Sequence, residues 1–127
     1  MTGNTLGLTS LAAPASIKEF VNNTLPLATF VNFVGGNLTL FDGNVMLGLL
    51  NLSLYNERDS RIPNVTSFAN NQLPALKELT IQNRDGQLQF TGNTLTSLRK
   101  LVVSADTGLV FQGNWLPVLS DLTIEGK

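Results

Sequence analysis

The chain has no cysteine and no histidine, a single tryptophan and a single tyrosine, and only 13% charged residues in 127 positions. Without cysteine there is no disulfide framework and no thiolate chemistry, and the redox compartment is left open. Without histidine the side chain that titrates near neutral pH is missing, so acid–base chemistry would fall to carboxylates. Charge of one sign is lacking too: Lys plus Arg is 8 against 9 for Asp plus Glu, a net charge of −1, with a pI near 5.2. Such a surface has no basic field to gather phosphate backbones or anionic lipid, which makes nucleic acid a poor partner. No apolar run approaches the roughly 18 residues that a membrane-spanning helix needs, so membrane insertion is not expected. Ala12-Ala-Pro-Ala-Ser16 has the small residues of a cleavage site but no positive region before it, and is not read as a signal peptide.

What the chain does have is asparagine at near-constant spacing. Asn4, Asn23, Asn44, Asn71, Asn93 and Asn114 are separated by 19, 21, 27, 22 and 21 residues, and each is followed two positions later by Leu or Met. One short unit is therefore written about six times, which is the mark of a solenoid. The segment from Leu88 through Phe90, Asn93, Leu95 and Leu98 to Leu101 and Val103 lies position for position above Leu109, Phe111, Asn114, Leu116, Leu119, Leu122 and Ile124. Phe68, Asn71, Leu73 and Leu76 repeat the skeleton, as do Phe41, Asn44, Met46 and Leu49, and Phe20, Asn23, Leu25 and Ala28. Met1, Asn4 and Leu6 form a degenerate first copy within residues 1–17.

Each unit holds two apolar-x-apolar triplets whose period-2 alternation reads as a short half-buried strand. The Phe of one triplet precedes the second by 11 residues, as from Phe90 to Leu101. That interval is too short for a strand, two turns and a helix of ordinary length. The expected fold is mainly β: one solenoid over 1–127, of about six coils of 21–22 residues with two short parallel strands each. The second triplets are expected to line up in one sheet, with Asn32, Ser53, Thr80, Val102 and Thr123 facing outward.

The string L-x-F-x-x-N-x-L-x-x-L, written across residues 18–124, resembles the strand-and-turn segment of the leucine-rich repeat superfamily, L-x-L-x-x-N-x-L. With no helical half-repeat it is most similar to the irregular members, the BspA-type bacterial surface repeats and receptor L domains. The resemblance implies that Asn23, Asn44, Asn71, Asn93 and Asn114 sit inside the turns and hydrogen-bond backbone groups of adjacent coils. Stacked buried amides of that kind would pin the vertical register. Asn83 stands outside the ladder and is expected to matter little.

Charges fall into register as well. Glu78, Lys100 and Asp121 share one repeat position, and Glu57, Arg84, Asp106 and Lys127 another, so signs alternate from coil to coil. The interval from Leu52 to Phe68 is 16 residues where its counterparts are 10 or 11, and the surplus forms a loop insertion over 55–63. Tyr55, Asn56, Glu57, Arg58, Asp59 and Arg61 within it are the candidate binding residues, since loops on rigid repeat scaffolds often carry recognition.

Catalytic residues are not expected. Glu57 and Asp59 are the closest carboxylates, but Arg58 and Arg61 beside them favour ordinary ionised acids. There is no Gly-rich phosphate loop, and Asp85 and Asp106 occupy different turn positions with no calcium-loop pattern, so no cofactor or metal is expected. Two functions remain. The first is a protein-interaction or adhesion module, with a protein or glycan partner. Its polar, lightly charged composition and four N-x-[ST] sequons, at Asn22, Asn37, Asn51 and Asn64, suit the cell surface or the extracellular space. The second is a structural subunit that assembles head to tail: the sequence stops just after a core triplet with no cap over Trp115, Leu119, Leu122 and Ile124, so either this is a slice of a longer solenoid or that end docks on a neighbouring copy. Trp115 is expected to cover the coil edge. Ice binding through a Thr column is the weakest reading, since Val102 interrupts Thr80 and Thr123.

Overall fold

A computed structural model describes residues 1–13, 17–33, 38–54, 65–83, 86–105 and 108–126. Among them every regular element is a strand, and the parallel sheets wind into a β-solenoid of about four turns. The strands are β1 (Ser10–Ala13), β2 (Glu19–Val21), β3 (Phe30–Phe33), β4 (Leu40–Asp42), β5 (Asn51–Ser53), β6 (Ser67–Ala69), β7 (Glu78–Asn83), β8 (Gln87–Thr91), β9 (Lys100–Ala105), β10 (Gly108–Gln112) and β11 (Asp121–Gly126). The even-numbered strands make one five-stranded parallel sheet. Its register stacks Phe20, Phe41, Phe68, Phe90 and Phe111 directly over one another. Their rings stack at centroid spacings of 5.0 to 5.4 Å, and the first four of them are fully buried.

The second triplets do not form the single sheet that their alignment predicts. They divide into β1–β3–β5 and β7–β9–β11, with no ladder between β5 and β7 among the described residues. That step is where the longer insertion enters the chain, and the five-stranded sheet runs past it unbroken through Leu40↔Ser67 and Phe41↔Phe68. A third column, also missing from the sequence reading, joins single residues at the turn: Thr5, Thr24, Val45, Gln72, Thr94 and Trp115 bridge in series. Backbone pairing thus runs along three lines of the coil rather than two.

The turn before each ladder Asn has one conformation throughout. Gly3, Asn22, Gly43, Asn70, Gly92 and Gly113 all have φ between 55 and 69°, a left-handed backbone that Gly and Asn adopt most readily. At Gly43 and Gly92 a Cβ would also collide with the side-chain oxygens of Asn22 and Asn70 in the coil before. This corner turns the chain so that the following Asn points inward.

Asn23, Asn44, Asn71 and Asn93 are buried. In each the Nδ2 donates back to a carbonyl of the preceding coil and forward to the next ladder oxygen. Asn71 Nδ2, for example, donates to Phe41 O at 2.8 Å and to Asn93 Oδ1 at 3.1 Å. The Asn71 backbone N–H reaches the same Asn93 Oδ1 at 3.1 Å. The paired forward bonds recur at every rung from Asn4 to Asn93. Each buried amide is therefore satisfied from both sides, as burial demands.

Asn83 contradicts its expected role. It is buried at 2% exposure, and its Nδ2 donates to Val65 O at 3.1 Å and to Gln87 O at 3.0 Å. It ties the end of β7 to β8 and to the chain entering β6, a task invisible to a repeat alignment because it occurs once.

Candidate interaction surface

Where β5 and β7 fail to pair, a cleft of about 620 Å³ opens, with Phe30, Leu50, Leu52, Lys77, Glu78 and Thr80 among its lining residues. Phe30 is 41% and Leu50 51% exposed. On the turns leading into β3 and β5, Leu27 and Leu47 are 58% and 56% exposed. Their exposure has a simple reason. Leu27 and Leu47 follow ladder Asn residues at turn positions that face solvent, and Phe30 is the first, outward residue of its strand, opposite Asn51. In the later coils the strand-starting position occupied by Phe30 and Asn51 is charged instead: Glu78, Lys100 and Asp121 lie in consecutive register there. This column thus passes from uncharged residues, Ser10, Phe30 and Asn51, to alternating charge across the cleft.

A second cleft of about 540 Å³ is lined by Thr66, Ser67, Gly86, Gln87 and Gln89. Four of these five residues carry polar side chains. Nearby, half-buried Asp42 at the end of β4 accepts hydrogen bonds from Ser67 Oγ at 2.8 and 3.0 Å and from the Ala69 backbone N–H at 2.9 Å. Its carboxylate clamps β4 to β6 across the longest repeat. Sequence reading missed Asp42, although a carboxylate at a strand end before the insertion was the available signal.

The candidate loop residues Tyr55, Asn56, Glu57, Arg58, Asp59 and Arg61 lie outside the described residues, as do Arg84, Asp85, Asp106 and Lys127. At the far end Leu122 is 44% and Ile124 47% exposed, while Leu119 packs partly against the core. Trp115 stands 63% exposed as the last residue of the bridge column, rather than covering an edge. Among the described residues no group of three or more acidic side chains gathers where a metal ion could sit. None of their helices is long and apolar enough to cross a membrane, which says nothing of strands. The chain matches no known protein family, no curated protein and no solved structure.

Proposed function

We propose that the chain is a non-catalytic interaction module of the irregular leucine-rich-repeat type. Its six coils count the run before β2 as the first, and it holds an extended polypeptide segment at a cell surface. The observation that carries this reading is the break between β5 and β7. A uniform solenoid would bury its repeat unit identically in every coil, yet this one opens a cleft at one step, with exposed Phe30 and Leu50 in its lining. Large exposed apolar side chains lining a cleft are costly in water and characteristic of interaction sites. Strand walls favour a partner in extended conformation whose alternate side chains are apolar. The insertion 55–63, which follows β5 in the sequence and carries the single tyrosine and four charged residues, is a second candidate for contacts with the same partner.

Selection from a random peptide library on the immobilised chain tests this. Enriched peptides should alternate apolar with polar residues, and their binding should fall at least tenfold in Leu50→Ser and Phe30→Ser while surviving Trp115→Ser. Replacement of residues 56–61 by Gly and Ser should weaken capture and leave the circular dichroism unchanged. Enrichment of no such pattern, or binding indifferent to Leu50 and Phe30, would refute the assignment.

A further inference from the structure

The walls of the cleft between β5 and β7 present backbone groups as well as side chains. Asn51 N–H donates to Thr29 O at 3.1 Å, and Lys100 N–H to Lys77 O at 3.2 Å. In a parallel ladder successive residues turn their backbone groups to opposite neighbours. Asn51 therefore serves β3, and Leu52 turns its N–H and C=O toward the cleft. On the other wall Lys77 O serves β9, so Glu78 and Thr80 face the cleft in the same way. On that side Leu52, Glu78 and Thr80 have no ladder partner among the described residues. Two strand edges running in the same sense thus face each other across the gap, each an open template. The gap has the size of a strand. From a rise of about 3.3 Å, a strand spacing of about 4.8 Å and a sheet spacing of about 10 Å, one strand residue takes roughly 160 Å³. The cleft of about 620 Å³ therefore holds about four of them. Leu52 is only half-buried, whereas Val31, Leu79 and Leu101 at the same repeat position are buried. An apolar side chain set between Leu52 and Leu79 would cover it.

Charge decides which strand fits. Glu78 is exposed and heads the alternating column through Lys100 and Asp121, while uncharged Asn51 holds the matching position across the cleft. A basic residue between Asn51 and Glu78 continues the alternation. One position earlier Lys77 and Arg99 stand in adjacent coils, joined through Arg99 N–H and Lys77 O at 2.8 Å. Leu50 and Ser120, which flank them in that column, bring no anion. An acidic residue beside Lys77 offsets the two cations. We infer that the cleft takes an extended segment of another polypeptide as an inserted parallel strand, with residues in the order acidic, basic, apolar, polar, apolar. The acidic and basic residues meet Lys77 and Glu78, the first apolar one lies between Leu52 and Leu79, and the polar one between Ser53 and Thr80. The second residue donates its N–H to Leu50 O and accepts from Leu52 N–H. The third donates to Glu78 O and accepts from Thr80 N–H. Insertion joins the two three-stranded sheets, β1–β3–β5 and β7–β9–β11, into one. The inference rests on the reading of the cleft as a peptide site, and adds the direction, register and charge order of its occupant.

Fluorescence anisotropy on the full chain, with a labelled peptide carrying Asp-Lys-Leu-Thr-Val between Gly-Ser flanks, tests this. The peptide should bind about fivefold more tightly than its Lys-Asp-Leu-Thr-Val isomer, and the difference should shrink in Glu78→Gln and in high salt. Methylating the backbone nitrogen of the peptide's leucine removes the donor to Glu78 O and should weaken binding about tenfold or more. A spin label at the peptide's amino end should broaden the amide signals of Leu50 and Lys77 more than those of Leu54 and Ile81, as the parallel sense requires. Binding that depends on Leu50 and Phe30 yet ignores the N-methyl group and the charge order would overturn the inserted strand and leave the peptide-site reading standing. Broadening centred on Leu54 and Ile81 would overturn the parallel direction and the inference with it. If no extended peptide binds, both readings fall together.

Discussion

Asn93 gives both its backbone N–H and its side-chain Nδ2–H to one oxygen, Oδ1 of Asn114, at 3.0 Å each. The other Nδ2 proton of Asn93 goes to Phe68 O at 2.8 Å. One side chain therefore bridges three coils, linking the strand that holds the Phe stack in the coil before to the turn of the coil after. This explains why the amide is needed: a donor pair and an acceptor must sit on the same short side chain.

Asn93→Ala should cost about 1–3 kcal/mol, because it orphans Phe68 O and the backbone N–H of Asn71 in a buried setting. Asn71→Asp should cost more at neutral pH, since the introduced carboxylate replaces a donor facing Phe41 O and Asn93 Oδ1 and is itself desolvated. Burial raises the folded-state pKa of that carboxyl. Its penalty is therefore greatest above the folded pKa and shrinks as protonation sets in, so acid should partly rescue the variant. Urea titrations at neutral and mildly acid pH would register both effects.

Asn83→Ala should cost about 1–3 kcal/mol, comparable to a ladder position, by leaving Val65 O and Gln87 O without their donor. A thermal melt unchanged from the parent would show that water replaces the amide.

Gly92→Ala should destabilise by about 1–3 kcal/mol, through its positive φ and the collision with the Asn70 side chain. Asn22→Gly, in the same left-handed corner, should stay within about 1 kcal/mol of the parent, since glycine adopts that conformation without strain. Comparing the two unfolding midpoints separates backbone strain from side-chain loss.

Asp42→Ala should lower stability by about 1–3 kcal/mol, removing the acceptor of the Ser67 hydroxyl and the Ala69 N–H. Asp42→Asn retains one acceptor and should recover part of the loss. Amide exchange at Ala69 reads the effect locally.

The coil stack was legible in the chain because it is written repeatedly. Asn23, Asn44, Asn71 and Asn93 recur with apolar residues at constant offsets, and a solenoid gives the same environment to the same offset. The Phe stack and the consecutive register of Glu78, Lys100 and Asp121 follow from that rule. Features that occur once were not legible. Asn83, Asp42 and the cleft beside Phe30 and Leu50 have no second copy to reveal them.

The sequence by itself determined the β character, the repeat and its length, because alternation and spacing are local properties that survive without coordinates. It also held the turn rule, Gly or Asn before every ladder Asn, although that rule became readable only with the backbone angles in view. Tertiary structure decided the rest: that backbone pairing follows three lines of the coil, and that the second-triplet strands part between β5 and β7 while the Phe sheet continues. The direction of the ladder's hydrogen bonds also belongs to it. These depend on how neighbouring coils sit on one another across gaps of 19 to 27 residues. An insertion between β5 and β6 can be absorbed on one face and open another, and only the packed stack shows which.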